Sequence, residues 1–403
     1  MTAGIGFRMV GQAIVFFVVA RVLGVKGYGA YSAVLALAMT LGSFTGLGTS
    51  TIMLRDTSRN TAMFAVSWGR TLGALLTTAA PLLAIYFLLA WAILPDQIAR
   101  VVIICIGVAE ILFGPMTSAA LQAYQGHERM ARAAWIVLVQ VLPRLGAALT
   151  FGFALQLPQS VRLPVWAVAY LISSSASTGY ALLLLRRDLG VGLGVCWRGL
   201  GHAIYDGWPF AAGGAALKVY VDIDKLMLSR LASLEAAGAY SAAYRVVDMA
   251  CVPLMGFFSA AAPRFFRAGH DGIGSVARFT VSVLPLPMLY ALAIGFAFYS
   301  LADLMPWLLG STFASAIGAL RWLAWLPLFS LPRLLMQTAF GASGRQRTGL
   351  FVLACGAVFN VVLNLWMIPF WGWWGAVLAT YAAEFSMSAF LFASMIRDVR
   401  TRR

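Results

Sequence analysis

Continuous apolar runs, each about as long as the ~20 residues a helix needs to cross a bilayer, recur along the chain with short polar breaks between them. The runs are unbroken rather than alternating, which predicts helices and not the strands of a membrane barrel. Twelve spans fit, roughly 3–20, 30–54, 71–94, 101–124, 134–156, 164–185, 208–229, 237–262, 279–304, 319–341, 349–369 and 374–396. The expected architecture is an all-α polytopic membrane protein of about twelve transmembrane helices in two pseudo-symmetric six-helix bundles.

A repeat supports the division into halves. Arg21 is followed by Gly29-Ala30-Tyr31-Ser32-Ala33, and Arg230, 209 residues later, by Gly238-Ala239-Tyr240-Ser241-Ala242. Arg55 and Arg264 keep the same offset. Membrane proteins built from two copies place their substrate between the halves. The expected domains are 1–190, a cytoplasmic linker 191–207, and 208–403. The inner loop at about 186–207 carries Gly190, Gly192, Gly194, Gly199 and Gly201, completes no phosphate-binding glycine motif, and reads as flexible or interfacial.

Composition narrows the class. The chain is 61% hydrophobic and 11% charged, with a mean hydropathy of +0.85, too apolar for a soluble domain of its length. Its net charge of +15 does not imply nucleic acid, because no soluble surface is left to hold a basic groove. With both termini cytoplasmic, seventeen basic residues fall on the inner side against six on the outer, the usual inside bias of Lys and Arg. Residues 5–20 read as a retained helix rather than a signal peptide, since Arg21 and Lys26 follow directly and no small-residue cleavage site does. Cys105, Cys251 and Cys355 lie in spans and Cys196 in a loop, giving neither a disulfide framework nor a metal site. The expected localisation is the inner (plasma) membrane.

Ionisable residues inside apolar spans are costly and mark partners or cavities. Span seven carries Lys218, Asp222 and Lys225 on one helical face, with Asp224 turned away. Span eight carries Arg245 and Asp248, and span one carries Arg8, which the repeat offset sets beside Lys218. Internal pairing (Lys218 with Asp222, Arg245 with Asp248) is one reading. The other is a hydrated cavity with a cationic surplus, suited to an anionic substrate such as a diphosphate. The candidate cavity residues are Arg8, Lys218, Asp222, Lys225, Arg245 and Asp248; Asp224 and Glu384 are candidates for ion coupling. Glu384 also suits a pairing role.

Glu110, Arg144, Arg333 and Glu384 look scattered over spans four, five, ten and twelve. Leu-Pro-Arg-Leu occurs at 142–145 and 331–334, in spans that do not correspond between halves, and reads as coincidence. Gly42 and Gly46 form a GxxxG, and Asn360 and Asn364 share a face and are expected to bond between helices. His127-Glu128-Arg129 lacks the second histidine of a zinc-protease motif. No catalytic constellation or cofactor motif is visible, and the outer loops are short.

Arg21-Val22-Leu23-Gly24 with Tyr28-Gly29-Ala30-Tyr31 resembles the signature after the first helix of polysaccharide (O-antigen type) flippases. These belong to the multidrug/oligosaccharidyl-lipid/polysaccharide exporter superfamily. Ile223-Asp224-Lys225-Leu226-Met227-Leu228 followed by Gly238-Ala239-Tyr240 resembles the start of their second half. Asn360 to Asn364, Ile368-Pro369 and Gly372-Trp373-Trp374-Gly375-Ala376 resembles their eleventh-helix region. The resemblance implies two six-helix bundles in a V. It also implies alternating-access export, not enzymatic turnover, of lipid-linked oligosaccharide on undecaprenyl diphosphate from the inner to the outer leaflet. The implied partners are that substrate, the phospholipid bilayer, polysaccharide polymerase and glycosyltransferases. The sequence lacks the family's amphipathic lead-in before the first helix. A drug/cation antiporter of the same fold would want an acidic cavity, and a membrane glycan polymerase a sizeable outer loop.

Overall fold

The computed structural model describes residues 2–152, 156–270 and 272–400, with side chains described from residue 8 to residue 398. The end of the fifth expected span at 153–155 and the basic tail at 401–403 lie outside the described residues. Contacts divide the chain into two units, Met1–Lys218 and Val219–Arg403. No strand occurs among the described residues. That is the economical solution in hydrocarbon, where every backbone polar group must be satisfied within its own segment.

In the first unit, α1 (Thr2–Gly42) leaves helical geometry at one residue, Gly24, with φ 69° and ψ 174°. Glycine takes that conformation without a Cβ clash. The Phe16 and Tyr28 rings meet at 5.7 Å, whereas twelve residues of straight helix would set them about 18 Å apart. So α1 folds sharply at Gly24 and supplies two crossings. The second stops at Gly42, passes through turns in which Leu47 has φ 46° and Gly46 and Gly48 have φ 76°, and resumes as α2 (Thr49–Arg59). The expected GxxxG is therefore not a single helix face. A Cβ at Gly42 would lie 2.6 Å from the Glu110 carbonyl oxygen, so this glycine admits a neighbouring backbone, while Gly46 makes the turn.

The unit continues with α3 (Phe64–Ile93), α4 (Arg100–Val108), α5 (Gly114–Gly126), α6 (Met130–Phe151), α7 (Gln159–Leu189) and α8 (Leu200–Leu231). A π-helical turn, Ala109–Phe113, joins α4 to α5. Trp68, Leu72, Tyr124 and Ile136 form the core at one end. The glycine-rich segment before α8 lies across the first turns of α3. Trp68 Nε1 donates to the Gly192 carbonyl (3.1 Å), Cys196 N–H to Gly69 (3.0 Å), and Arg70 Nε to Arg198 (2.7 Å). The unit boundary after Lys218 falls inside α8.

The second unit holds α9 (Leu234–Ala250), α10 (Val252–His270), α11 (Ile273–Val283), α12 (Pro285–Leu301), α13 (Met305–Leu309), α14 (Ala316–Leu323), α15 (Leu326–Ala342), α16 (Gln346–Trp371) and α17 (Trp373–Arg400). Ser233 caps α9 by accepting from the Ala236 N–H at 3.0 Å, which satisfies an otherwise orphaned helical donor. Phe265, Leu335, Phe340 and Leu391 anchor the core. Asn364 donates to Asn360 at 2.9 Å, along one helix rather than between helices as expected.

The repeat recurs in the breaks. Shifted by the offset of 209, Gly24 falls on Ser233, the cap of α9, and Gly42 falls on Cys251. At Cys251 the α9–α10 pair bends by 42°. The second span of each unit is thus broken at an equivalent place. Eight helices are long and apolar enough to cross a membrane alone, and two bent pairs add two more. The twelve expected crossings exceed this count by two, at α1, whose arms on either side of Gly24 count once, and at the 32-residue α8, which is not among these spans. Apolar side chains also face outward, Trp91 being 82% and Phe385 69% exposed, as a hydrocarbon surround permits.

Candidate functional site

Two buried polar groupings occur in the second unit. In the first, Lys225 Nζ donates to Asp222 Oδ1 at 2.6 Å and to the Val221 carbonyl at 2.8 Å, and lies 4.3 Å from the centre of the Tyr244 ring. An ammonium has three donors; an acid, a carbonyl and a π face meet them all. Asp224, two residues beyond Asp222 and thus round the helix, is buried. It accepts from the Tyr240 hydroxyl at 2.5 Å and from the Lys225 backbone N–H at 2.8 Å. The repeated Gly-Ala-Tyr-Ser-Ala segment thereby places its tyrosine against the acid of the preceding helix.

In the second grouping, Arg333 on α15 holds Glu384 on α17 through two bonds, Nε to Oε2 at 2.6 Å and Nη2 to Oε1 at 3.0 Å. Nη1 donates to Gln337 at 2.9 Å, and the guanidinium lies 5.3 Å from the Tyr220 ring centre. Both charged residues are buried, at 5% and 2% exposure. A planar fork and a carboxylate make such a bidentate pair, and lysine could not.

The first unit has its own grouping. The Tyr170 hydroxyl donates to Glu110 Oε1. Arg144 lies 4.0 Å from the Tyr170 ring centre and donates to Ser174 at 3.0 Å. Tyr31, the repeat counterpart of Tyr240, packs edge-on to Tyr170 at 6.1 Å. Glu110 sits in the π-helical turn, a distortion that re-aims side chains and is frequent at functional sites.

The predicted residues thus separate by exposure. Asp222, Asp224 and Lys225 come together in one satisfied network, and Glu384 is engaged by Arg333. Arg245 and Asp248 pair at 3.5 Å with side chains 40% and 57% exposed. Arg8 is exposed and Lys218 half-buried. Sequence reasoning missed Tyr31, Tyr170, Tyr240, Tyr244 and Gln337, and treated Glu110, Arg144 and Arg333 as scattered. Two signals pointed to them: the tyrosine inside the repeat, and the twofold Leu-Pro-Arg-Leu. In both copies of the latter, the arginine after an intrahelical proline enters a buried grouping beside a tyrosine ring. Among the described residues no cluster of His, Cys, Asp and Glu could hold a metal ion.

A family model described as "Polysaccharide biosynthesis protein" matches residues 1–268. The chain belongs to this family. With eight to ten candidate apolar spans among its described residues, it is a multi-pass membrane protein. Its fold is similar to that of a multidrug resistance MATE family transporter of the MOP superfamily in an inward-facing conformation. That structure is 14% identical with a TM-score of 0.77, and the match covers 98% of this chain and 95% of that one. The fold is also similar to that of the lipid II flippase MurJ in an inward closed conformation, 10% identical with a TM-score of 0.73, covering 98% of this chain and 88% of that one. No curated protein matches by sequence.

Proposed function

We propose that this polysaccharide biosynthesis protein moves lipid-linked oligosaccharide, carried on undecaprenyl diphosphate, from the cytoplasmic to the outer leaflet of the plasma membrane by alternating access. The product feeds cell-surface polysaccharide assembly, alongside glycosyltransferases and a polymerase, and both termini lie in the cytoplasm. The observation that carries this reading is the separation of charges by exposure. Lys225 and Arg333 are buried and neutralised, whereas Arg245, Arg8 and Lys218 keep accessible surface. Cations retained in a membrane protein without full burial suit an anionic group that comes and goes.

On this reading Arg8, Lys218 and Arg245 are the candidate residues for charge-assisted hydrogen bonds to the diphosphate. Asp248 tempers Arg245, and Asp222 with Lys225 sets the local charge. Asp224 and Glu384, the buried acids, are the candidates for coupling to an ion. The lipid tail stays in hydrocarbon throughout, so only the headgroup needs a polar path.

Reconstitution tests the proposal. Proteoliposomes loaded on one leaflet with undecaprenyl-diphosphate oligosaccharide expose it on the other in the presence of the protein. Lys218→Ala combined with Arg245→Ala abolishes this at unchanged insertion. Efflux of cationic dyes with no movement of the lipid-linked sugar would instead assign a drug antiporter.

A further inference from the structure

The polar grouping of the first unit has bonding capacity left over. Arg144 follows an intrahelical proline on α6, as Arg333 does on α15. Arg333 engages three nitrogens, Nε and Nη2 with Glu384 and Nη1 with Gln337. Arg144 donates from Nη2 to Ser174 at 3.0 Å, but its Nε is buried and has no hydrogen-bond partner among the described residues. The acid that would take this donor is held off by a phenol: Glu110 Oε1 accepts from the Tyr170 hydroxyl, and the Tyr170 ring lies under the guanidinium. One bond to one oxygen leaves a carboxylate most of its acceptor sites. Trp166, its ring 6.1 Å from that of Tyr170 and 6.3 Å from that of Tyr31, also has a buried Nε1 without a partner among the described residues. Buried donors are seldom left unmatched, so their concentration here points to a ligand rich in oxygen.

Exposure gives the grouping a front and a back. Tyr170 and Ser174 are buried, whereas Arg144, Glu110 and Tyr31 are half-buried and keep accessible surface. Arg144 and Glu110 lie within the candidate spans Met130–Phe151 and Arg100–Gly126. A charged side chain that stays accessible at such a place faces a hydrated path rather than lipid. The charges also select the ligand. A phosphate would meet Arg144 but be opposed by Glu110, and an organic cation would meet the reverse. A neutral ring of hydroxyls suits both, because each hydroxyl donates and accepts. Its C–H face also packs against the negative face of an aromatic ring, and Tyr31 stands beside the two charges.

We infer that Glu110, Arg144 and Tyr31, backed by Tyr170 and Ser174, form a subsite for a neutral sugar ring of the lipid-linked oligosaccharide. This inference rests on the substrate proposed above and adds to it a place where the sugar, rather than the diphosphate, is recognised. Arg144 Nε donates to a sugar oxygen, and a sugar hydroxyl donates to Glu110. The π-helical turn aims Glu110, and Ser174 fixes the guanidinium from behind, so the two charged arms are set before the sugar arrives.

Native mass spectrometry of the full-length protein tests it, with undecaprenyl-diphosphate oligosaccharide and sugar-free undecaprenyl diphosphate as probes. The wild type holds the glycosylated lipid about tenfold or more tighter, the scale of one hydrogen bond to a charged group. Arg144→Gln and Glu110→Gln each bring the glycosylated lipid down to the sugar-free level and leave the sugar-free lipid unchanged. Because either variant could misfold, a diazirine carried on the sugar is cross-linked to the wild type in parallel, and the label falls on α6 or the π-helical turn. Equal wild-type affinity for the two lipids, or label confined to other helices, would overturn the subsite. So would an Arg144→Gln loss shared equally by both lipids, which marks a phosphate ligand. A Glu110→Gln variant that keeps the sugar preference and changes only the response of leaflet exchange to an ion gradient would overturn it as well, by marking a coupling acid. A wild-type sugar preference without leaflet exchange in proteoliposomes would leave the subsite standing and sink the transport proposal. Exchange without any sugar preference in binding would do the reverse.

Discussion

The two units bring the same tyrosine to different chemistry. Tyr240 meets Asp224 directly, and close by Lys225 pairs with Asp222 and Arg333 with Glu384. Tyr31 meets another ring, Tyr170, and it is Tyr170 that stands between Glu110 and Arg144. In the buried groupings of the second unit opposite charges touch; in that of the first a phenol stands between them, and the direct pair Arg132–Asp188 at 2.9 Å lies apart from it with its arginine exposed. The duplicated segment fixed where a helix turns and where its tyrosine lands. The acids and cations around that tyrosine came from other helices, and there the halves diverged.

If direct pairing is what distinguishes the second unit, breaking its most buried pair has the largest effect. Arg333→Ala leaves Glu384 uncompensated and lowers stability by ~3–5 kcal/mol, as for other buried pairs broken on one side. Thermal unfolding in detergent measures this, and Arg333→Met with Glu384→Leu regains most of the loss. A single variant that unfolds no earlier than wild type would remove the contrast.

The tyrosines sharpen it next. Asp224 keeps the Lys225 N–H when the Tyr240 hydroxyl is removed, while among the described residues it is the Tyr170 hydroxyl that donates to Glu110. Tyr170→Phe therefore costs more than Tyr240→Phe, each within the ~1–3 kcal/mol of an unmade buried bond. The reverse order, measured by the same unfolding, would mean that Arg144 rather than the phenol satisfies Glu110.

The smallest effect lies at the repeated break. Gly42→Ala would push a methyl against the Glu110 carbonyl and shift the π-helical turn, at a cost of about 1–3 kcal/mol. Its counterpart Cys251→Ala stays within about 1 kcal/mol of wild type. Equal costs would show that the break, not the close approach, sets the requirement.

Much of this was legible in the sequence because lipid enforces it. Apolar runs of spanning length and the 209-residue repeat together predicted the helical class and the order of the helices. The i to i+3 spacing gave the Arg245–Asp248 pair, whereas Asp222, expected to pair with Lys218, is held by Lys225. What spacing within a helix does not encode is contact between helices. Arg333 and Glu384 are 51 residues apart, and Glu110 and Tyr170 are 60 apart. Leu-Pro-Arg-Leu looked accidental because its two copies occupy non-equivalent spans. Packing made it meaningful, since each arginine lies over a tyrosine from a different helix. The glycine-rich segment resembled a linker because its anchors, Trp68, Gly69 and Arg70, lie more than a hundred residues earlier.

The central claim is that accessible cations serve an anionic headgroup while buried ones hold the fold. One paired measurement tests it most directly: leaflet exchange of undecaprenyl-diphosphate oligosaccharide in proteoliposomes, set against the unfolding midpoint, for Arg245→Ala. The account predicts that exchange falls at least tenfold, the scale of one lost charge-assisted contact, while the midpoint stays near wild type, because the exposed Arg245–Asp248 pair contributes little to stability. Exchange at the wild-type rate would contradict it.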